Sequence, residues 1–245
     1  DVCSSDLLLI LAPVVSPMIA LARLIRSQWH PKARMVFIGP CIAKKREMDD
    51  PKTGGLIDEV LTFEELTALF RSEKIELVRL PDRAPDGPEA GIGRAFAVSG
   101  GLLDTARIPG GTLQNKVIVT EGRDRILDAL HKVSEGNIEA RFLDLLFCEG
   151  CINGPQMDND LSGFVRKDKV IHFLHHSDEN TSFQERSRWM EKIKPVDLSR
   201  EFTREEISLP LPSDEKLADP RHHRQVHAGG RTELRRLRLS DLPGE

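Results

Sequence analysis

An α/β fold, with mostly parallel sheets flanked by helices, is what this 245-residue chain predicts, on three observations. Short apolar runs of strand length recur along it. Between them lie segments with helix start signals. The links are rich in Gly, Pro and Asp. Strands that alternate with helices are joined by crossovers, and crossovers make neighbouring strands parallel.

Taken in order, Ser16 is an N-cap and Pro17 opens a helix whose apolar residues Ile19, Leu24 and Ile25 carry it to about Trp29. The run 35–38 is fully apolar and reads as a buried strand ending at Gly39-Pro40, and 57–61 reads as a second strand. Thr62 and Glu65 have capping-box spacing, so a helix is expected over 63–72. Residues 81–93 read as a loop, 94–98 as a strand, and Ser99-Gly100-Gly101 as the opening of a helix to Arg107. A strand over 116–120, a helix over 123–133 and a strand over 141–147 follow, the last running into a cysteine turn. Beyond Gly154 the chain is polar and mixed, ending in the Pro-punctuated ISLPLPSDE. It shows no internal repeat.

The length suits one large domain or two small ones. A hydrophobic fraction of 39% and a charged fraction of 30% are those of an ordinary globular protein. The net charge of -4 gives no electrostatic case for a nucleic-acid partner. Four cysteines are too few and too unevenly placed for a secreted disulfide scaffold. The apolar stretch 7–25 is broken by Pro13, Pro17 and Arg23, so neither a membrane span nor a signal peptide is read there, and a cytoplasmic location is expected.

Both ends stand apart. The heptapeptide DVCSSDL matches the translation of a common sequencing adaptor, so residues 1–7 are read as a non-native scar and Cys3 is set aside. From Pro220 the apolar periodicity gives way to Arg and His. DNA coding for 229–243 can spell, one base later, a cysteine-rich phrase resembling a four-cysteine iron–sulfur motif. Residues 220–245 are therefore expected to be a frameshifted, disordered tail, and 8–219 the in-frame domain, truncated at its N-terminus.

The remaining cysteines carry the chemistry. Cys41 follows Pro40 at the end of the first strand, and Cys148 and Cys151 form a CxxC turn at the end of the last. In open α/β sheets that edge is where sites assemble. Gly150 inside the turn and Gly154 behind it let backbone approach a cofactor closely. On residues alone three other readings stay open: a redox dithiol, half of a zinc site completed by a histidine, or inert core cysteines. Lys44 and Glu47 also fit a solvated charge run. GIG at 91–93 is half a dinucleotide fingerprint in the wrong order, and HFLHH at 172–176 reads as a partly exposed strand end before it reads as a metal site. His222, His223 and His227 lie in the tail.

Three ordered motifs resemble the large-subunit domain of iron-only ([FeFe]) hydrogenases. PCIAKKREMDD looks like that family's second cluster-binding motif, RAFAVSGGLLDTARI like its Gly-Gly segment, and RFLDLLFCEGCINGP like its third motif. The similarity spans about residues 8–205. It implies a two-lobed α/β domain and makes Cys41, Cys148 and Cys151 ligands of a [4Fe-4S] cluster, with a fourth ligand upstream. In hydrogen-evolving members a two-iron subsite adjoins the cluster. Lys44 then matches a lysine that donates to its cyanide, and Glu47 a proton-relay carboxylate. Those members have three residues between the paired cysteines. Here there are two, Glu149 and Gly150, which displaces the second sulfur. The shortened turn implies electron transfer or redox sensing, with hydrogen turnover as the alternative. A ferredoxin-like electron donor or acceptor, or attached iron–sulfur and signalling modules, would be the partners.

Overall fold

The computed structural model describes residues 11–83, 87, 90–108, 117–178, 187, 191 and 194–203, with backbone alone at 91, 92 and 176–178. Both termini as read above, 1–7 and 220–245, lie outside the described residues. Two parallel two-stranded sheets, each with its own helices, form the two lobes.

In the first lobe, helix α1 (Pro17–Gln28) starts where Ile19 N–H donates to Ser16 Oγ, and it buries Met18, Ile19, Ala22 and Leu24. Strand β1 (Val36–Ile38) pairs in parallel with β2 (Glu59–Leu61), with Val36 opposite Glu59. Helix α2 (Ala43–Met48) lies in the crossover between them. Helix α3 (Phe63–Ser72) follows β2, opened by a complete capping box between Thr62 and Glu65. The core between α1 and the sheet is Val15, Met18, Ile19, Ala22, Met35, Ile57 and Val60.

The second lobe begins with a 3-10 turn (Gly91–Ala97) and helix α4 (Gly101–Ala106), which pack on each other. Strand β3 (Val117–Glu121) pairs in parallel with β4 (Phe142–Leu146), connected through helix α5 (Arg123–Ser134). Helix α6 (Gly163–Asp178) then crosses the 3-10 turn and the cysteine turn, with Arg94 stacked over the Phe173 ring at 5.1 Å. Finally 194–203 returns to the first lobe, where Val14 and Ser199 form an antiparallel bridge. Arg23 clamps it by donating to Asp197 O (2.6 Å) and Ser199 O (3.1 Å).

The structure corrects three expectations. Residues 94–98 are not a strand; 94–97 belong to the 3-10 turn and Val98 caps it, with Gly101 so close to Ala95 that a Cβ there would lie 1.8 Å from its carbonyl oxygen. Residues 172–176 are not a strand end but part of α6, whose signal was Ser162 accepting from Val165 N–H. The 35–38 run is buried on one face only, since Val36 and Ile38 stay 41% and 45% exposed. That face is only partly covered, since Leu61, opposite Ile38, is buried, unlike the doubly covered sheets where parallel strands usually occur. Among the described residues, no helix is long and apolar enough to cross a membrane.

The α3 cap is a local stabiliser with a definite pH sense. Burial raises the Glu65 carboxyl, but hydrogen bonds from Thr62 and Lys45 outweigh it and hold the group below its usual range. A folded-state value below the unfolded one means the contribution is fully present above the ordinary glutamate range and is lost as pH falls from there through the lowered folded value. Thr62→Ala should cost about 1 kcal/mol in urea denaturation at neutral pH. Glu65→Gln should lower the midpoint at neutral pH, and its difference from wild type should shrink as pH is taken below the ordinary glutamate range.

Candidate metal centre

The first turn is built on the end of β1. Gly39 N–H donates to Leu61 O at 3.0 Å, which carries the sheet ladder one residue past the strand. Pro40 cannot donate and so ends the ladder there. Cys41 follows, half-buried, and Lys44 N–H donates to its carbonyl at 3.2 Å as α2 begins.

The second turn leaves β4. Phe147, Cys148 and Glu149 are exposed, whereas Gly150 is buried with a φ of 90°, left-handed backbone that a side chain would strain. Cys151 is half-buried and starts a 3-10 turn (Cys151–Asn153), with Asn153 N–H donating to Gly150 O at 3.0 Å. Asn153 Nδ2 donates back to Glu149 O at 2.7 Å, and from α6 Arg166 Nη1 donates to Ile152 O at 3.2 Å. Arg166 also donates to Asn159 through Nε (3.0 Å) and Nη2 (2.7 Å), so the turn is tied to the start of the helix. Glu149 points its charge into solvent.

The two turns meet at one glycine. A Cβ on Gly154 would stand 2.7 Å from Pro40 O and 3.1 Å from Pro40 Cβ, so only a glycine lets the second turn seat on the first. Cys151 feels the result. Burial first, then the neighbouring Cys41 and Cys148, push its thiol up, while Lys44 pulls it back.

Lys44 and Glu47 are not a solvated run. Lys44 Nζ donates to Glu47 Oε2 at 2.5 Å, with the two side chains only 22% and 14% exposed. Lys45 pairs with Glu65 at 3.0 Å and donates to Val60 O, fastening α2 to β2. Arg200 reaches across from the C-terminal segment to Asp50 at 2.6 Å and lies 3.5 Å from Glu47. Arg166 and Arg200 were missed by sequence reasoning. Neither sits in a motif, and the Arg200–Asp50 pair is separated by 150 positions, so no local spacing could signal it.

Three thiols from two turns, one of them withdrawn from water and opposed by its neighbours, form a donor set that is costly to ionise alone. A cationic centre relieves that cost, so the residues fit an iron–sulfur cluster. Among the described residues, no three His, Cys, Asp or Glu side chains converge tightly enough for a single metal ion. The GIG glycines lie in the 3-10 turn rather than between a strand and a helix. His172 and His175 are exposed on α6, and the side chain of His176 lies outside the description. With iodoacetamide at neutral pH, the exposed Cys148 should alkylate several-fold faster than Cys151, as peptide mass mapping would read; equal rates would contradict the burial described.

Comparison with known proteins follows these observations. No curated protein matches the chain. Among solved structures, one of an [FeFe]-hydrogenase, concerned with oxygen inactivation and damage to its H cluster 2Fe subcluster, aligns with a TM-score of 0.58 at 16% identity, covering 82% of this chain and 68% of that one. A second, concerned with stepwise H-cluster assembly, gives 0.58 at 17% identity, over 81% and 69%. A variant of an [FeFe]-hydrogenase from Chlamydomonas reinhardtii gives 0.55 at 16% identity, over 79% and 67%. At these identities the likeness is one of fold. The family model for the iron only hydrogenase large subunit, C-terminal domain, matches residues 3–155, a span that takes in Cys3 and both cysteine turns. The chain therefore belongs to the iron only hydrogenase large subunit, C-terminal domain family.

Proposed function

We propose that this chain is a hydrogenase-related protein in which Cys41, Cys148 and Cys151 hold a [4Fe-4S] cluster, and that it serves electron transfer or redox sensing. One observation carries the reading: Gly154 lies against Pro40, which sets the CxxC turn on the Pro-Cys turn and brings Cys41 and Cys148 near enough to push the half-buried Cys151 thiol up. When bound, the cluster supplies reversible one-electron uptake. The chain's own part is to hold the sulfurs in register, to keep water off with the buried Ile152, and to place the Lys44 cation toward an anionic centre. Exposed Cys148 and Phe147 mark the edge through which a ferredoxin-like partner, or an attached iron–sulfur or signalling module, would exchange electrons.

Electron transfer is favoured over hydrogen turnover by the two-residue spacing between Cys148 and Cys151. Catalysis of hydrogen turnover is the second reading. It is favoured by the placement of Lys44 and Glu47, paired and largely buried one turn from Cys41. Anaerobic reconstitution, with a small thiol supplied as fourth ligand, should give a brown protein with about four irons per chain. Cys41→Ala and Cys151→Ala should each lose most of that iron. Stoichiometric zinc without iron would overturn the cluster. Hydrogen evolution from reduced dye, after loading of a two-iron subsite, would transfer the preference to the catalytic reading.

Gly154 tests the join itself. Gly154→Ala places a methyl against the Pro40 backbone, so it should reduce iron uptake strongly and cost on the order of 1–3 kcal/mol in denaturant midpoint measurements. Wild-type uptake by this variant would show that the two turns need not touch.

A further inference from the structure

The family match ends at residue 155, yet the charge pair nearest the cysteine turns is tied to residue 200. Lys44 follows Cys41 by one turn, and Glu47 holds its ammonium through Oε2. The other oxygen, Glu47 Oε1, is buried without a hydrogen-bond partner and faces Arg200 Nη1 at 3.5 Å. Arg200 is itself 20% exposed, donates to Asp50 at 2.6 Å, and lies 4.9 Å from the centre of the Phe202 ring. Its Nε is likewise buried without a partner.

That placement is not needed to dock the segment. Arg23 already makes two hydrogen bonds to it, Lys52 Nζ donates to Thr203 Oγ1 at 2.6 Å, and the Val14–Ser199 bridge adds backbone pairing. A guanidinium withdrawn from water with an unused donor is costly unless it faces negative charge. Here it faces Glu47 and Asp50, at the edge of a cavity of about 650 Å³ that Arg46 and Asp49 also line. Glu47 and Asp50 line that cavity beside Arg200.

We propose that Arg200 is a positioning residue: by facing the second oxygen of Glu47 it holds the carboxylate, and through it the ammonium of Lys44, one turn after Cys41, so that docking of segment 194–203 sets the charge near the metal centre. This rests on the metal-centre reading above. Arg200 touches no reacting atom; it also pairs with Asp50, and its effect on the centre runs mainly through Glu47.

The test uses the full chain reconstituted with iron and a small thiol, and reads the midpoint potential of the cluster in wild type, Arg200→Met, Arg200→Lys, Glu47→Gln and the Arg200→Met/Glu47→Gln double variant. Hydrogen exchange at the Val15 and Arg200 amides, which bond to Leu198 O and Pro13 O, reports segment docking in each. Loss of a cation disfavours the more negative reduced state, so Arg200→Met should move the potential down. Arg200→Lys should restore most of it. In the Glu47→Gln background less than half of the shift should remain, because the coupling runs through the carboxylate. An unchanged potential in Arg200→Met, or an equal shift with and without Glu47, overturns the proposal while leaving the cluster in place. Failure of the wild-type chain to take up iron overturns the metal reading and, with it, this one.

Discussion

The contact of Gly154 with Pro40 is the constraint on which the rest of the molecule depends. Among the described residues each sheet has two strands, and neither closes around a site. What makes one centre of them is that β1 and β4 both end in turns that approach to van der Waals distance, and that approach is possible only without a Cβ. The Arg166 clamp to Ile152 O then keeps the second turn from rotating away.

Charge is arranged around that contact in a graded way. Glu149 is exposed, the Lys44 charge acts on the Cys151 thiol while its ammonium is held by Glu47, and Arg200 faces the other oxygen of Glu47. An anionic cluster would therefore meet a cation from the protein side and no buried carboxylate from its own turn. Asp144, buried in β4, is a separate matter. Burial raises its carboxyl, and a hydrogen bond from the Gly100 backbone opposes that.

Fold and family stand on different observations. Relatives with 16–17% identity keep the architecture, as expected where short apolar strands and tight turns set the backbone while the solvent face drifts. Family membership comes from ordered motifs over residues 3–155. The segment beyond them contributes Arg200, whose partners are supplied by the first lobe rather than by any motif of its own.

The sequence by itself determined the elements whose signals are local. Ser16-Pro17 starts α1, and the Thr62–Glu65 box yields α3 with the expected bounds, because cap hydrogen bonds join residues three apart. The cysteine turns were legible for the same reason, as strand ends punctuated by Gly and Pro. Tertiary structure decided the rest. Residues 94–98 look like a strand but coil under α4, because Gly101 draws the chain against Ala95. Helix α6 hides in sequence because its apolar residues do not fall on one buried stripe; Phe164 and Phe173 are 89% and 60% exposed. The seating of Gly154 on Pro40 and the reach of Arg200 to Glu47 join residues more than a hundred positions apart. Such pairs leave no periodic trace along the chain, since their geometry exists only once both lobes are folded.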